Sequence, residues 1–198
     1  MTAPLPVVIL ISGRGSNLQA IIDAQRKELL PVAIRAVISN NPQAPGLAHA
    51  RRADIDTQIV DHRAFNTRTE FDRALMATID RYAPDLVVLA GFMRILGGEF
   101  IAHYRGRLMN IHPSLLPAFR GLDTHARALA AGAREHGASV HFVTDEVDAG
   151  AVIVQARVPV LAEDTPETLA ARVLAEEHRI YPLAIRWFAE GRVRLEQD

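Results

Sequence analysis

Apolar residues recur along this chain in two alternating rhythms. Val7–Ile11 and Leu86–Ala90 are apolar at every position, the pattern of strands buried on both faces. Between such runs lie stretches with apolar residues three or four apart, the spacing of one helical face. Ser16–Leu30 carries them at 18, 21, 22, 29 and 30, and Thr67–Tyr82 carries Phe71, Leu75 and Ile79. Val32–Ile38, Thr57–Val60 and Leu108–Ile111 read as further strands, and Leu47–Arg52, Gly97–His103 and Thr124–Ala131 as shorter helices. Ser139–Val143 and Ala151–Val160 follow as two strands with no helix between them, so they are expected to pair antiparallel. Thr165–Phe188 closes the pattern as a long helix, with Pro166 suited to its first turn and Pro182 expected to kink or break it.

The predicted fold class is α/β. A Rossmann-like, mononucleotide-binding N-terminal half continues into a mixed, mostly parallel sheet flanked by helices. No repeat, low-complexity stretch or linker divides the 198 residues, so one domain is expected, with halves at about 6–104 and 105–198. Hydrophobic residues make up 49% and charged residues 23%, as in an ordinary globular protein.

Charge and cysteine usage narrow the chemistry. The formal net charge of −1 offers no general field for nucleic acid, so an anion needs a local site. Without cysteine there is no disulfide framework, thiolate nucleophile or Cys-based zinc site. No close pair of His ligands suggests a metal, and Glu176-Glu177-His178 reads as the polar face of the last helix. Met1–Pro6 lacks the basic start of a signal peptide, and the Val7–Ile11 run is too short to span a bilayer; the expectation is cytoplasmic, with no membrane partner.

Two segments carry candidate chemistry. Ser12-Gly13-Arg14-Gly15-Ser16-Asn17 joins the first strand to its helix. A dinucleotide fingerprint would need glycine where Leu18 stands and an acidic residue near Ser39-Asn40-Asn41, and a Walker loop would need Gly-Lys-Ser/Thr. Two readings remain open: a tight turn capped by Ser16, or a phosphate cradle of Gly15, Ser16 and Asn17 at a helix N-terminus. The second segment, Asn110-Ile111-His112-Pro113, ends a buried strand, where alternation turns Asn110 and His112 to one side. An amide donor beside an imidazole suits acyl transfer, one steadying an oxyanion and the other charge or a proton. The alternative is a hydrogen-bonded structural histidine beside a proline-fixed turn. An acidic loop, Val143–Gly150, could bring Asp145, Glu146 or Asp148 to His112; spacing does not choose among them. Ser114 lacks a nucleophile elbow.

Together the segments resemble a known family. Ser12–Ile21, Ala90–Leu96, Asn110–Pro117, His141–Thr144 and Val147–Gly150 are similar, in register, to the folate-dependent phosphoribosylglycinamide formyltransferases. The resemblance implies 10-formyltetrahydrofolate as donor, glycinamide ribonucleotide as acceptor, no metal, and a monomer or homodimer. It implies catalytic roles for Asn110, His112 and Asp148, with Asp148 paired to His112. Gly15, Ser16, Asn17 and Glu177 would hold the acceptor. Arg68, Met93, Arg94, Ile95, Leu96, Val143 and Thr144 would lie on the folate side with Asn110 and Asp148. Leu116–Pro117 becomes a candidate cis bond. Ala118-Phe119-Arg120 and Asp123 depart from the family pattern, in the loop after the catalytic strand.

Overall fold

The structure, a computed structural model, describes residues 3–195. Seven strands form one sheet in the order β3-β2-β1-β4-β5-β6-β7. They are β1 (Leu5–Ile11), β2 (Val32–Ser39), β3 (Asp56–Ile59), β4 (Leu86–Leu89), β5 (Leu108–His112), β6 (Glu135–Phe142) and β7 (Val152–Pro159). The first five run parallel and the last two antiparallel to their neighbours, as the missing helix between them implied.

Six helices cover the two faces: α1 (Ser16–Arg26), α2 (Leu47–Arg52), α3 (Arg68–Asp80), α4 (Gly98–His103), α5 (Thr124–Ala130) and α6 (Pro166–Ala189). Strand alternation divides the core accordingly. Val7, Ile9 and Ile11 of β1 pack with Leu18, Ile21 and Ile22 of α1 and with Val173, Ile180 and Ile185 of α6. Val8 and Leu10 pack on the other face with Phe71, Leu75 and Ile79 of α3 and Phe100 of α4. Among the described residues no helix is long and apolar enough to cross a membrane.

Three expectations need correction. Helix α1 ends at Arg26, not Leu30, because Glu28 enters the left-handed region at φ +58 and Pro31 disfavours helix at the residue before it. Pro182 lies inside α6 and does not break it: the helix continues through it as one element. Burial of Ile180, Tyr181, Ala184 and Ile185 on either side offsets the lost backbone hydrogen bond. Strand β6 starts at Glu135, four residues before the expected Ser139. Gly137 is required within the ladder: a Cβ there would lie 1.9 Å from the Ala156 carbonyl oxygen.

Candidate active site

The strand order reverses between β1 and β4, and loops leaving the carboxyl ends of β1, β4 and β5 gather there. In β5, Met109 and Ile111 enter the core beneath α1 and α6, while Leu108 enters the core beneath α3 and α4. Asn110 and His112 therefore share the second face, as alternation implied. Antiparallel pairing sets Asn110 opposite His141 and His112 opposite Ser139.

His112 is 5% exposed and faces an oxygen at each ring nitrogen. Its Nδ1 lies 3.3 Å from Asp148 Oδ2. Its Nε2 lies 3.0 Å from the Phe119 carbonyl oxygen. Asp148 Oδ2 also accepts the Gly121 N–H at 2.9 Å, and its Oδ1 lies 3.6 Å from His141 Nε2. Of the three carboxylates that spacing left open, Asp148 faces His112. Glu146 is exposed and pairs with Arg120 at 2.6 Å, and Asp145 is exposed.

Three of the six left-handed non-glycine residues among those described lie in the loops around this histidine. Phe119, Asp123 and Asp148 all adopt positive φ, at 54°, 56° and 52°. Non-glycine residues hold such angles where surrounding bonds over-determine the chain. Those bonds are present: Ser114 Oγ donates to the Ala118 carbonyl, Thr124 Oγ1 to the Pro113 carbonyl, and Arg127 to the carbonyls of Arg120 and Leu122. Ser139 Oγ donates to the Ser114 carbonyl, accepts the Leu116 N–H, and is bridged by Gln155 to the Leu116 carbonyl. Leu116–Pro117 is cis. The loop that departs from the family pattern thus meets His112 and Asp148 through the Phe119 carbonyl and the Gly121 N–H. Both contacts are made by backbone atoms, not by the side chains of 118–120.

The turn after β1 is shaped by close packing. Gly15 is the N-cap of α1, at φ +74, and no side chain caps this helix, so the Ser16 cap is not formed. Gly15 and Gly46 pack backbone to backbone: a Cβ on Gly15 would lie 2.8 Å from Gly46 Cα. Gly46, which carried no signal in sequence, also donates its N–H to the Gly13 carbonyl at 3.0 Å. The first-turn N–H groups of α1 lie at the open end of the helix, the geometry that favours an anion. Asn17 is buried and donates through Nδ2 to Glu177 Oε2 at 2.7 Å, while its Oδ1 has no partner among the described residues. Glu177 is itself 8% exposed, which corrects the reading of 176–178 as a uniform polar face. Burial pushes the Glu177 carboxyl above its usual range, and the Asn17 hydrogen bond only partly opposes this. A cleft of about 470 Å³ opens beside the turn, lined by Arg14, Ser16, Gln19, Asp23, His49 and His178 among others.

The segment after β4 lies across the switch point. Met93 and Ile95 are 71% and 66% exposed, Arg94 is exposed, and Leu96 packs into the core beneath α3 and α4. Ser12 Oγ accepts the Met93 N–H at 2.7 Å and donates to Asn40 Oδ1, tying this segment to the end of β1. Asp72 is buried and accepts the Gly97 N–H at 2.8 Å. Burial raises the Asp72 carboxyl, with Arg68 and Arg94 close enough to oppose the shift. Val143 and Thr144, half-buried, lead from β6 into the loop that ends at Asp148.

Behind His112, His125 and His136 meet edge to face at 5.1 Å. His136 is 1% exposed and neither ring nitrogen has a partner at hydrogen-bonding geometry. Burial, then the neighbouring His125 and His112, pushes its pKa from 6.5 to about 4, against a weaker opposing pull from the Pro113 backbone. A folded-state value below the unfolded one means the unfolded chain binds more protons in that window. Stability is therefore expected to be full above pH 6.5 and to fall as pH drops toward 4. Urea midpoints measured across this range check it. His136→Phe should flatten the slope, and an unchanged slope would contradict the assignment.

A mixed, mostly parallel sheet with an amide, an imidazole and a carboxylate gathered at one strand end fits a group-transfer enzyme of the α/β class. Comparison with known proteins narrows this. Residues 5–185 match the family described as formyl transferase. The chain is 56% identical over 192 residues to phosphoribosylglycinamide formyltransferase of Escherichia coli (strain K12), covering 97% of this chain and 91% of that one. It resembles the structure of the Coxiella burnetii phosphoribosylglycinamide formyltransferase, with TM-score 0.94, 58% identity and coverage of 98% and 91%. A glycinamide ribonucleotide transformylase from Symbiobacterium toebii is similar at TM-score 0.96 and 49% identity, with coverage of 99% and 92%. The chain belongs to the formyl transferase family. Its activity is that of the phosphoribosylglycinamide formyltransferases, one-carbon transferases of purine biosynthesis.

Proposed function

We propose that the chain moves a formyl group from 10-formyltetrahydrofolate to the amine of glycinamide ribonucleotide, with Asn110, His112 and Asp148 as its catalytic groups. The observation that carries this reading is the convergence of the three side chains at the end of β5. The acceptor amine attacks the formyl carbon, and the carbonyl oxygen becomes an oxyanion. Asn110 donates an N–H to that oxygen, and protonated His112 supplies positive charge beside it. Collapse of the tetrahedral centre breaks the bond to folate N10. The proton leaving the amine reaches that nitrogen through water near Asp148, whose carboxylate holds the His112 ring.

Gly15, Ser16 and Asn17 bind the acceptor phosphate through first-turn N–H groups of α1, and Glu177 meets its glycinamide end. Support comes from the open helix terminus and from Glu177 reaching across to Asn17. Met93, Arg94, Ile95 and Leu96, with Val143 and Thr144, form the pterin side, and Arg68 lies toward the rest of the folate. The exposure of Met93 and Ile95 beside Asn110's face of the sheet favours this assignment.

Purified protein given 10-formyltetrahydrofolate is expected to release tetrahydrofolate only when glycinamide ribonucleotide is added. Release without acceptor would make it a hydrolase. Folate binding without turnover would make it a binding protein.

A further inference from the structure

We infer that His141 is a positioning residue that fixes the orientation of the Asn110 side-chain amide; this rests on the proposed role of Asn110. His141 is 1% exposed and projects from β6 directly opposite Asn110. Its Nδ1 lies 2.9 Å from the Phe142 carbonyl oxygen, which can only accept, so Nδ1 carries a proton. In the neutral ring Nε2 is then a bare acceptor, and it faces Asn110 Nδ2 at 3.3 Å.

The consequence for Asn110 follows from amide chemistry. An Asn side chain has a donor end and an acceptor end of nearly equal shape, and only its partners decide which points where. His141 Nε2 selects the donor end. One Nδ2 hydrogen is spent on the histidine, and the amide plane is set, leaving the second hydrogen to be aimed at a developing oxyanion. Flipping the amide would bring Oδ1 against the lone pair of Nε2 and remove the N–H from the site.

Burial of the ring keeps it in this form. Burial lowers the His141 pKa, outweighing the Phe142 hydrogen bond and the charge of Asp148, while His112 adds to the lowering. A ring protonated at Nε2 would become a donor there, repel the Asn110 NH₂ and turn to Asp148 Oδ1, now 3.6 Å away. The neutral ring thus holds Asn110 and leaves Asp148 to His112.

A pair of near-isosteric substitutions separates positioning from plain structural support. In His141→Gln the side-chain amide reaches the place of Nε2 and can accept from Asn110. In His141→Asn the amide reaches only the place of Nδ1, keeping the bond to Phe142 and losing the one to Asn110. His141→Asn is expected to lower kcat by about 10- to 100-fold, the scale of a misplaced reacting group, with each KM changed less than about threefold. His141→Gln should recover most of the loss. The double variant Asn110→Ala/His141→Asn should be no slower than Asn110→Ala alone, since one residue acts through the other. Asparagine restoring activity where glutamine does not, or additive losses in the double variant, would overturn the inference while leaving the role of Asn110 intact. Near-normal turnover by Asn110→Ala would remove that role and this inference together. Nitrogen-15 NMR of the wild-type imidazoles needs no variant to fold: the expected signal for His141 is the Nδ1–H tautomer, and an Nε2–H tautomer contradicts the inference.

Discussion

Asn110→Ala is expected to lower kcat by about 10²–10³-fold, the usual cost of deleting one oxyanion donor. The KM for glycinamide ribonucleotide should stay within about threefold, because the proposed phosphate cradle lies at the end of β1, on a separate loop. His112→Ala and Asp148→Asn should behave alike, lowering turnover far more than acceptor binding. The geometry orders the two. Removing the imidazole deletes the group proposed to stand beside the reacting carbon, whereas Asp148→Asn leaves that group and weakens what holds it. Asp148 also accepts the Gly121 N–H, so its replacement by Asn keeps a possible acceptor there and spares the loop. Steady-state kinetics with each substrate varied in turn checks this. Near-wild-type kcat in any of the three variants would remove that residue from its assigned role.

Gly150→Ala is expected to harm stability and turnover together, although residue 150 touches no reacting group. A Cβ at this buried position would lie 1.8 Å from the Phe142 carbonyl oxygen and 2.8 Å from its carbonyl carbon. Both are backbone atoms of β6, so no flexible side chain can yield. The strand end or the loop must move, at a cost of about 3 kcal/mol, or roughly 6–12 °C in melting temperature for a domain of this size. The Phe142 carbonyl is also the acceptor for His141, and Gly150 lies two residues past Asp148. A shift there moves Asp148 relative to His112 at the same time. Calorimetry with parallel kinetics should show both losses, with kcat down by about tenfold or more. A variant that melts within about 2 °C of wild type at full activity would show that this approach is not tight.

How much of this could be read from sequence depended on how far apart the interacting residues lie along the chain. Strands β1 and β4 were plain because nothing interrupts their apolar runs. The shared face of Asn110 and His112 followed from alternation alone. The choice of Asp148 over Asp145 and Glu146 did not, since it depends on a loop folding back to β5 and on a left-handed residue at its end. The Phe119 carbonyl and Gly121 N–H have no side-chain signature, so their part in holding His112 and Asp148 was invisible. Gly137 and Gly46 carry no sequence signal for the backbone packed against them. Glu177 looked like surface charge because helical spacing shows which residues share a face but not what packs there; its partner Asn17 is 160 positions away. His141 stood within a matched segment, yet only the β5–β6 register sets it against Asn110.

A crystal structure with glycinamide ribonucleotide and a non-transferring analogue of 10-formyltetrahydrofolate tests the proposed chemistry most directly. The expected result has the phosphate on the N–H groups of Gly15, Ser16 and Asn17 and the pterin against Met93–Leu96. The amine and formyl carbon should then lie about 3–3.5 Å apart between Asn110 and His112, with an Asn110 N–H on the formyl oxygen. A ternary complex with the formyl group beyond hydrogen-bonding reach of both Asn110 and His112 would contradict it.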